Sequence, residues 1–155
     1  MVSVEPFLSP TGPTSVLFTC THNAIRSPMA EAMLKHQFGH RIYVDSVGLR
    51  AGELDLFAVE AMREIGIDLS NHSSKDFDEL VDDSFDMVVS LSPEAHHHAI
   101  ELTRTTACEV EYWPTLDPSL ITGNRDARLD AYRQIRDQLR DRIRQRFDLT
   151  DNPRV

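Results

Sequence analysis

The chain has 155 residues, of which 41% are apolar and 7% aromatic, and its formal net charge is −9. This composition suits one globular domain with a buried core and excludes a disordered chain. The negative charge argues against nucleic acid as a partner, and the absence of a long apolar run argues against a membrane partner. The start lacks the pattern of a signal peptide, and two cysteines make no disulfide framework, so we expect a cytoplasmic protein.

The order of apolar patterns along the chain predicts the fold class. We expect a flexible N-terminal extension at 1–14, an α/β domain at 15–148 and a C-terminal tail at 149–155. Within the domain, strands are predicted at 15–19, 41–47, 86–92 and 108–113, and helices at 28–38, 55–65, 93–103 and 126–147. This alternation predicts a single doubly wound domain, with a four-stranded parallel sheet covered by helices on both faces.

Local signals refine the helices. We expect the Ser27 hydroxyl to cap the first helix just before Pro28, and Gly66 to end the second helix. In the last helix, an apolar stripe is predicted to pack on the body of the protein, while Arg133 and Asp137 pair on the solvated face. The stripe consists of Leu129, Tyr132, Ile135, Leu139, Ile143 and Phe147.

The stretch VLFTCTHNAIRSP joins the first predicted strand to the first helix. Ligands of such sheets bind beyond the carboxyl ends of the strands, which is where Cys20 stands. A tight loop into a helix presents backbone N–H groups to an anion, and its positive potential favours the thiolate of Cys20. Arg26 can offer its planar fork to two oxygens of a tetrahedral oxyanion. We therefore predict oxyanion binding by Thr21, His22, Asn23, Ala24, Ile25 and Arg26.

The spacing from Cys20 to Arg26 is a weak signal alone, but longer segments strengthen it. CTHNAIRSPMAEAML resembles the active-site loop and first helix of the low-molecular-weight protein tyrosine phosphatases and their sister arsenate reductases. The resemblance continues through DSVGLRAGELDLFAVEAMREIGIDLSNHSSK, DMVVSLSPEA and WPTLDP to the arginine-rich last helix. It implies that Cys20 is the nucleophile and that Arg26 binds the transition state, without any metal or cofactor.

The resemblance also implies roles for residues outside the loop. Asp117, followed by Pro118, matches the general acid of the family, although a surface Asp-Pro pair is usually only a turn. Asn23, Ser27, Ser46 and His72 match a hydrogen-bonded set that supports the loop. Asn23 suits a left-handed turn, and Ser27 could donate a hydrogen bond to Cys20. Taken singly, Ser46 and His72 could equally be ordinary loop residues.

Several positions depart from the family pattern. His22 replaces a glycine, and Ile25 and Ser92 stand where relatives carry further cysteines. Ser119 and Leu120, and a pocket wall expected from Leu49, Arg50 and Ala51, lack the aromatic residues of tyrosine-directed members. These departures argue against phosphotyrosine as the natural substrate, and Arg50 favours an acidic or smaller phosphate ester.

Three functions are consistent with these residues. The leading hypothesis is a metal-independent phosphatase that hydrolyses a small phosphomonoester or a protein phosphotyrosine through a cysteinyl-phosphate intermediate. The alternative is an arsenate reductase that borrows an external thiol such as glutathione or mycothiol, because the chain lacks a resolving cysteine pair. The third is a phosphate-binding module without chemistry. Each would bind phosphate, sulfate, vanadate or arsenate as an oxyanion ligand.

The remaining candidates are expected to be structural. Cys108 is interpreted as a small core residue, with a redox role as the less favoured alternative. His96, His97 and His98 resemble a metal cluster, but consecutive helical positions point about 100° apart. We expect these three histidines to be mostly exposed.

Overall fold

The structure, a computed structural model, describes residues 12–80 and 84–148. The predictions made for residues 1–11 and 149–155 therefore lie outside the described residues. Strands and helices alternate as β1 (Ser15–Cys20), α1 (Arg26–Phe38), β2 (Tyr43–Gly48), α2 (Leu56–Arg63), β3 (Met87–Ser90), α3 (Pro93–Leu102), β4 (Glu109–Tyr112) and α4 (Arg125–Phe147). In the described part of the chain, no helix is long and apolar enough to cross a membrane.

The four strands form one parallel sheet in the order β2-β1-β3-β4, as predicted. Strand β1 lies inside the sheet, and it is buried from Val16 to Cys20 because it has a neighbour on each side. Its last residue, Cys20, stands opposite Gly48, the last residue of β2. Since all strands run in the same direction, their carboxyl ends meet at one edge of the sheet, where ligands of such folds bind.

Helices cover both faces of the sheet, because successive strand residues point to opposite faces. Val16 and Phe18 face the larger core, which is completed by α1, α2 and α4. Leu17 and Val88 face a smaller core, which includes Ala99 of α3. The doubly wound architecture predicted from the sequence is confirmed.

Of the two predictions for helix ends, one is confirmed and one is wrong. Gly66 follows α2 with a φ of 80°, and its N–H donates to the carbonyl oxygen of Arg63 at 3.0 Å, so the prediction that it ends this helix is confirmed. The prediction that Ser27 caps α1 is wrong. Ile25 holds the cap position without a side-chain hydrogen bond, and Ser27 lies inside the first turn because its hydroxyl is turned toward Cys20.

Helix α4 packs with the predicted stripe, since all six of its apolar residues are buried. The predicted pair between Arg133 and Asp137 is wrong. Arg133 instead makes a two-pronged contact with Glu64 at the end of α2, and Asp137 pairs with Arg136. Hydrogen bonds from Arg133 and Arg136 lower the pKa of Glu64 to about 2. These contacts join α4 to α2, so the arginines act between helices rather than along one helix.

Two of the three consecutive histidines are not exposed, which corrects the prediction. His96 Nδ1 lies 2.8 Å from Ser90 Oγ, and its ring stacks on Tyr112 with centroids 4.5 Å apart. His98 packs on Phe77, with centroids 4.3 Å apart. Their rings therefore serve two different packing sites. Within the described residues, no group of histidine, cysteine and acidic residues could hold a metal ion.

The two cysteines lie at opposite ends of the parallel strands, Cys20 at the carboxyl ends and Cys108 at the amino ends. Cys108 precedes the first residue of β4, is half-buried and packs on the smaller core, as predicted. Cys20 ends β1 at the carboxyl edge. A strand rises about 3.3 Å per residue, so a four-residue strand separates the two edges by roughly 13 Å, which excludes a disulfide between them in this fold.

Candidate active site

A cleft of about 220 Å³ opens at the carboxyl edge of the sheet, with Cys20 at its floor. Cys20 is only 2% exposed, and its Sγ lies 2.9 Å from Ser27 Oγ. The thiol is therefore reached only through the cleft. The lining residues are Cys20, His22, Ala24, Ile25, Arg26, Gly52, Glu53, Asp55, Asp117 and Ser119.

The loop after Cys20 keeps its backbone donors available. In the described part of the chain, the N–H groups of residues 21–25 donate to no protein acceptor. Helix α1 starts directly after them at Arg26, and no side chain caps its first turn. Unpaired N–H groups beside a helix N-terminus are suited to bind an anion.

Asn23 holds this loop in shape. Its φ of 53° is left-handed, as the sequence predicted. Its Nδ2 donates to Ser27 Oγ at 2.8 Å and to Ser46 Oγ at 2.9 Å. Its Oδ1 accepts from His72 Nε2 and from the backbone N–H of Lys75, each at 3.0 Å. All four hydrogen-bonding positions of the amide are used, and the four residues predicted to support the loop lie together.

These contacts allow Ser27 to donate a hydrogen bond to Cys20. Because Ser27 Oγ accepts from Asn23, its own hydrogen is free to point at Cys20 Sγ. A hydroxyl at that position is within reach to donate a hydrogen bond to the sulfur. The Ser27 hydroxyl therefore lies against the sulfur and is not the helix cap that the sequence predicted.

A buried carboxylate, Glu31, completes the network and was missed by the sequence analysis. It lies on α1, is 7% exposed, and accepts from Ser46 Oγ at 2.5 Å and from Lys35. Its spacing to Lys35 is typical of an exposed ion pair on a helix, so no signal in the sequence distinguished it. Glu31 supplies the final acceptor in the series that begins at Asn23 and passes through Ser46.

His72 enters the network as a neutral ring. Its Nε2 donates to Asn23, so the proton resides there, and its Nδ1 lies 3.7 Å from Glu31 Oε1. Burial lowers the pKa of His72, and the neighbouring Lys75 and Lys35 add to this effect, although the Glu31 carboxylate opposes it. His72 thus donates to the loop without carrying a charge at neutral pH.

Arg26 and Asp117 face the same cleft from different elements. Arg26 is 8% exposed, and its Nη1 donates to the carbonyl oxygen of Thr115 at 3.0 Å. Its Nη2 lies 4.0 Å from Asp117 Oδ2. Asp117 Oδ1 accepts from the backbone N–H and the hydroxyl of Ser119. The structure therefore brings Cys20, Arg26 and Asp117 to one cleft, although they are almost a hundred residues apart in sequence.

The second wall of the cleft is attached to the Cys20 loop through the backbone. Hydrogen bonds of 2.8 to 3.1 Å run from the N–H groups of Leu49, Arg50, Gly52 and Asp55 to the carbonyl oxygens of Cys20, Thr21, His22 and Ala24. At Gly48, an added Cβ would lie 2.6 Å from the backbone nitrogen of Asn23, so only glycine permits this approach. The segment 48–55 is therefore held in a fixed position relative to the thiol.

The composition of this wall differs in part from the prediction. Gly52, Glu53 and Asp55 line the cleft, instead of Leu49 and Ala51. Arg50 is at the rim, where its Nη2 lies 3.3 Å from Nε2 of the lining residue His22. Among the residues that the structure describes, no phenylalanine, tyrosine or tryptophan lines the cleft. The wall is polar and carries carboxylates.

Two partly buried hydrogen bonds hold Asp55 in place. Its Oδ1 caps α2 by accepting from the N–H of Phe57, and its Oδ2 accepts from the Tyr132 hydroxyl at 2.9 Å. Burial and the Asp55 carboxylate raise the pKa of Tyr132, so the phenol keeps its proton and acts as a donor. Helix α4 thus positions one carboxylate of the cleft wall.

Two predicted loop residues direct their side chains away from the cleft. Thr21 Oγ1 donates to Ser92 Oγ at 3.0 Å, and the Asn23 amide is used entirely by the supporting network. His22, Ala24, Ile25 and Arg26 line the cleft. For Thr21 and Asn23, a role in oxyanion binding remains a prediction that concerns the backbone N–H groups alone.

The sequence profile of the low-molecular-weight phosphotyrosine protein phosphatases matches residues 15–151. The chain belongs to this family. One relative of this chain is the arsenate reductase of Bacillus subtilis (strain 168). The two are 33% identical over 131 residues, which cover 84% of this chain and 92% of that protein. The fold expected from the resemblance is thereby confirmed, and the chain is an enzyme of this superfamily, but the predicted hydrolysis of phosphate esters is not confirmed.

Solved structures of family members extend the comparison. An arsenate reductase in the phosphate binding state has a TM-score of 0.67 and 28% identity, with 87% of this chain and 97% of that chain covered. The YwlE arginine phosphatase from Geobacillus stearothermophilus has a TM-score of 0.70 and 25% identity, with 88% and 92% covered. The comparisons support the alternative hypothesis, arsenate reduction, better than the leading hypothesis of phosphate-ester hydrolysis.

Proposed function

We propose that this protein reduces arsenate to arsenite, with a thiol from outside the chain as the electron donor. The observation that carries the proposal is the 33% identity to a protein named arsenate reductase across 84% of the chain. The geometry supports it, because Cys20 lies at the floor of a cleft beside unpaired N–H groups and Arg26, a set that suits a tetrahedral anion.

The reaction has three balanced steps. The Cys20 thiolate attacks arsenic, an S–As bond forms, and one arsenate oxygen leaves as water after gaining protons. An external thiol then attacks the Cys20 sulfur, and the S–As electron pair passes to arsenic, which leaves as arsenite. The mixed disulfide at Cys20 is finally opened by a second external thiol. The sum is one arsenate and two thiols converted to one arsenite, one disulfide and one water.

The external thiol is required because the chain offers no resolving cysteine. The second cysteine, Cys108, lies at the opposite edge of the sheet from Cys20. The positions of Ile25 and Ser92 hold no thiol. Two free cysteines and a thiol-dependent reaction both fit a reducing compartment, so we place the protein in the cytoplasm.

The test compares the two candidate reactions on one preparation. Purified protein is given arsenate with glutathione, and thiol consumption is coupled to glutathione reductase and NADPH. The same protein is then given an aryl phosphate. We expect arsenate-dependent thiol oxidation to exceed phosphate release at equal substrate concentration. Phosphate release without any arsenate-dependent oxidation, across several thiols, would contradict the proposal.

Hydrolysis of a phosphoryl group is the second candidate, and the placement of Asp117 favours it. A carboxyl group in the cleft can protonate a leaving group and later activate water against a cysteinyl phosphate. The carboxylates of Glu53 and Asp55 line the same cleft, which favours a cationic leaving group, such as the guanidinium of phosphoarginine, over a phenol. One relative of known structure is an arginine phosphatase, which agrees with this substrate class.

Asp117→Asn separates the acid role from simple binding. If Asp117 protonates the leaving group, the variant slows phenyl phosphate hydrolysis by about 10²-fold, but slows an ester with a very acidic leaving group far less. Equal slowing of both substrates would remove Asp117 from the acid role. The wild type should also release phosphate from phosphoarginine faster than from phosphotyrosine. Equal or slower release from phosphoarginine would argue against selection by the carboxylates of the wall.

A further inference from the structure

Arg50 and Glu53 place two opposite charges at the mouth of the cleft without pairing them with each other. Arg50 makes its side-chain contact with the His22 ring, at 3.3 Å. Glu53 lines the cleft and, within residues 12–80 and 84–148, has no hydrogen bond or ion pair. Both residues are exposed. The rim thus offers a guanidinium with free donors and a carboxylate with free acceptors.

The backbone segment that carries these two residues is held in a fixed position relative to the reacting sulfur. The N–H of Arg50 donates to the carbonyl oxygen of Thr21 at 3.0 Å, and that of Gly52 donates to His22 at 2.8 Å. Both acceptors are within two residues of Cys20. A ligand that contacts Arg50 and Glu53 is therefore anchored next to the cleft floor, not on a separate surface.

The contrast with other arginines supports a role in ligand binding. Arg133 and Arg146 make charged contacts with glutamates on neighbouring elements, which join parts of the fold. Arg50 touches a histidine that itself lines the cleft, and its contact joins no helix to another. Its guanidinium thus has donor positions left to receive an anion.

We propose that Arg50 and Glu53 bind the zwitterionic amino-acid head group of the reducing thiol, with Arg50 on its carboxylate and Glu53 on its ammonium group. The inference rests on the proposed function, since it concerns the second substrate of that reaction. It names the class of thiol: an amino-acid or peptide thiol such as glutathione or free cysteine, and not a neutral one. Cys20 at the cleft floor, 2% exposed, favours such a small thiol over the thiol of a folded protein.

The binding test uses S-methylglutathione, which carries the head group but cannot react. We expect calorimetric titration to show binding to the wild type, and a dissociation constant about tenfold higher in Arg50→Gln and in Glu53→Gln, as expected for one lost charge-assisted contact. Arg104→Gln and Glu101→Gln are the matched controls, because this exposed pair lies at the end of α3, at the opposite edge of the sheet. Unchanged binding in both rim variants would overturn the inference.

The kinetic test distinguishes this inference from the proposed function. The KM for glutathione, divided by the KM for 2-mercaptoethanol in the same variant, should rise about tenfold in Arg50→Gln and Glu53→Gln and stay constant in the controls. The same KM is measured for free cysteine. Of glutathione and free cysteine, the thiol with the lower KM is the one whose head group the site prefers. If arsenate is reduced with equal KM ratios in all variants, the inference fails and the proposed function stands. If no thiol supports reduction while S-methylglutathione binding still depends on Arg50 and Glu53, the proposed function fails and the head-group site stands.

Discussion

At the floor of the cleft, Asn23, Ser27 and Ser46 are fully buried and hydrogen-bonded in series, whereas at the rim Arg50 and Glu53 are exposed and do not pair with each other. These three side chains are hydrogen-bonded within the protein, while the backbone N–H groups of residues 21–25 stay available to an anion. The rim carries exposed charges that are available to a ligand. The comparison indicates that the floor determines the reaction, while the rim selects the molecules that take part in it.

Removal of the sulfur tests the floor most severely. Cys20→Ser should lower arsenate reduction and aryl phosphate hydrolysis by about 10⁴-fold or more, because both reactions begin with attack by this thiolate. Cys108→Ser is the matched control and should retain wild-type rates, since that thiol lies at the opposite edge of the sheet. Steady-state assays of both variants check the prediction. A Cys20→Ser variant that keeps activity would show that the cleft floor is not the reaction centre.

Loss of the guanidinium should have the next largest effect. Arg26→Ala should slow arsenate reduction by about 10² to 10³-fold, because the positive fork facing the cleft is removed. Arg26→Lys keeps the charge without the planar fork, so its rate should lie between those of the wild type and Arg26→Ala. The kcat and KM for arsenate of each variant provide the measurement. Equally reduced rates in both variants would mean that the planar fork matters and the charge alone does not, and wild-type rates in both would contradict any role for Arg26.

Asn23 tests whether the floor is a structural unit. Asn23→Ala removes four hydrogen bonds in a buried site and forces a Cβ-bearing residue without a local hydrogen bond into the left-handed region. We expect the free energy of unfolding to fall by about 2 to 4 kcal/mol in urea titration. Asn23→Gly, which accepts the same φ without the hydrogen bonds, separates the two causes.

A substitution at the rim should change the free energy of unfolding much less than Asn23→Ala does. Glu53→Gln should change the free energy of unfolding by less than about 0.5 kcal/mol, because Glu53 has no partner to lose within the described residues. A rim variant as destabilising as Asn23→Ala would remove the distinction between floor and rim.

Protonation of His72 should have the smallest effect. Burial lowers its pKa below the ordinary value of 6.5, so just below pH 6.5 the unfolded chain binds more protons than the folded chain. The stability that His72 contributes is present above pH 6.5 and is lost as the pH falls through this window. His72→Gln cannot titrate, so its loss of stability between pH 7 and 5 in urea titration should be smaller than that of the wild type. Identical pH dependence in both proteins would contradict the pKa shift.

Much of the floor was predictable from the sequence, because its positions are marked by local chemistry. Cys20 ends an apolar strand run, Arg26 starts the next helix, and an asparagine in a tight turn indicates a left-handed residue. The order of strands and helices was predictable for the same reason, since periodicity is a local property. Asp117 was identified through a resemblance, and its position beside Arg26 agrees with that resemblance.

The misses share a physical cause, which is that a polar side chain has more than one available partner. Ser27 before Pro28 is typical of a helix cap, but a buried sulfur competes for its hydroxyl. Glu31 has the spacing of an exposed ion pair with Lys35, but it also accepts from Ser46 in the core. Arg133 prefers a carboxylate on another helix to one on its own. Tertiary packing decides among such partners, and no local pattern reports it.

The most direct test of the account is a crystal structure of the Cys20→Ser variant grown with arsenate. The account predicts a tetrahedral anion within hydrogen-bond distance of the side chain at position 20, the N–H groups of residues 21–25 and the guanidinium of Arg26. Arsenate bound elsewhere, or a cleft that stays empty at saturating arsenate, would contradict it.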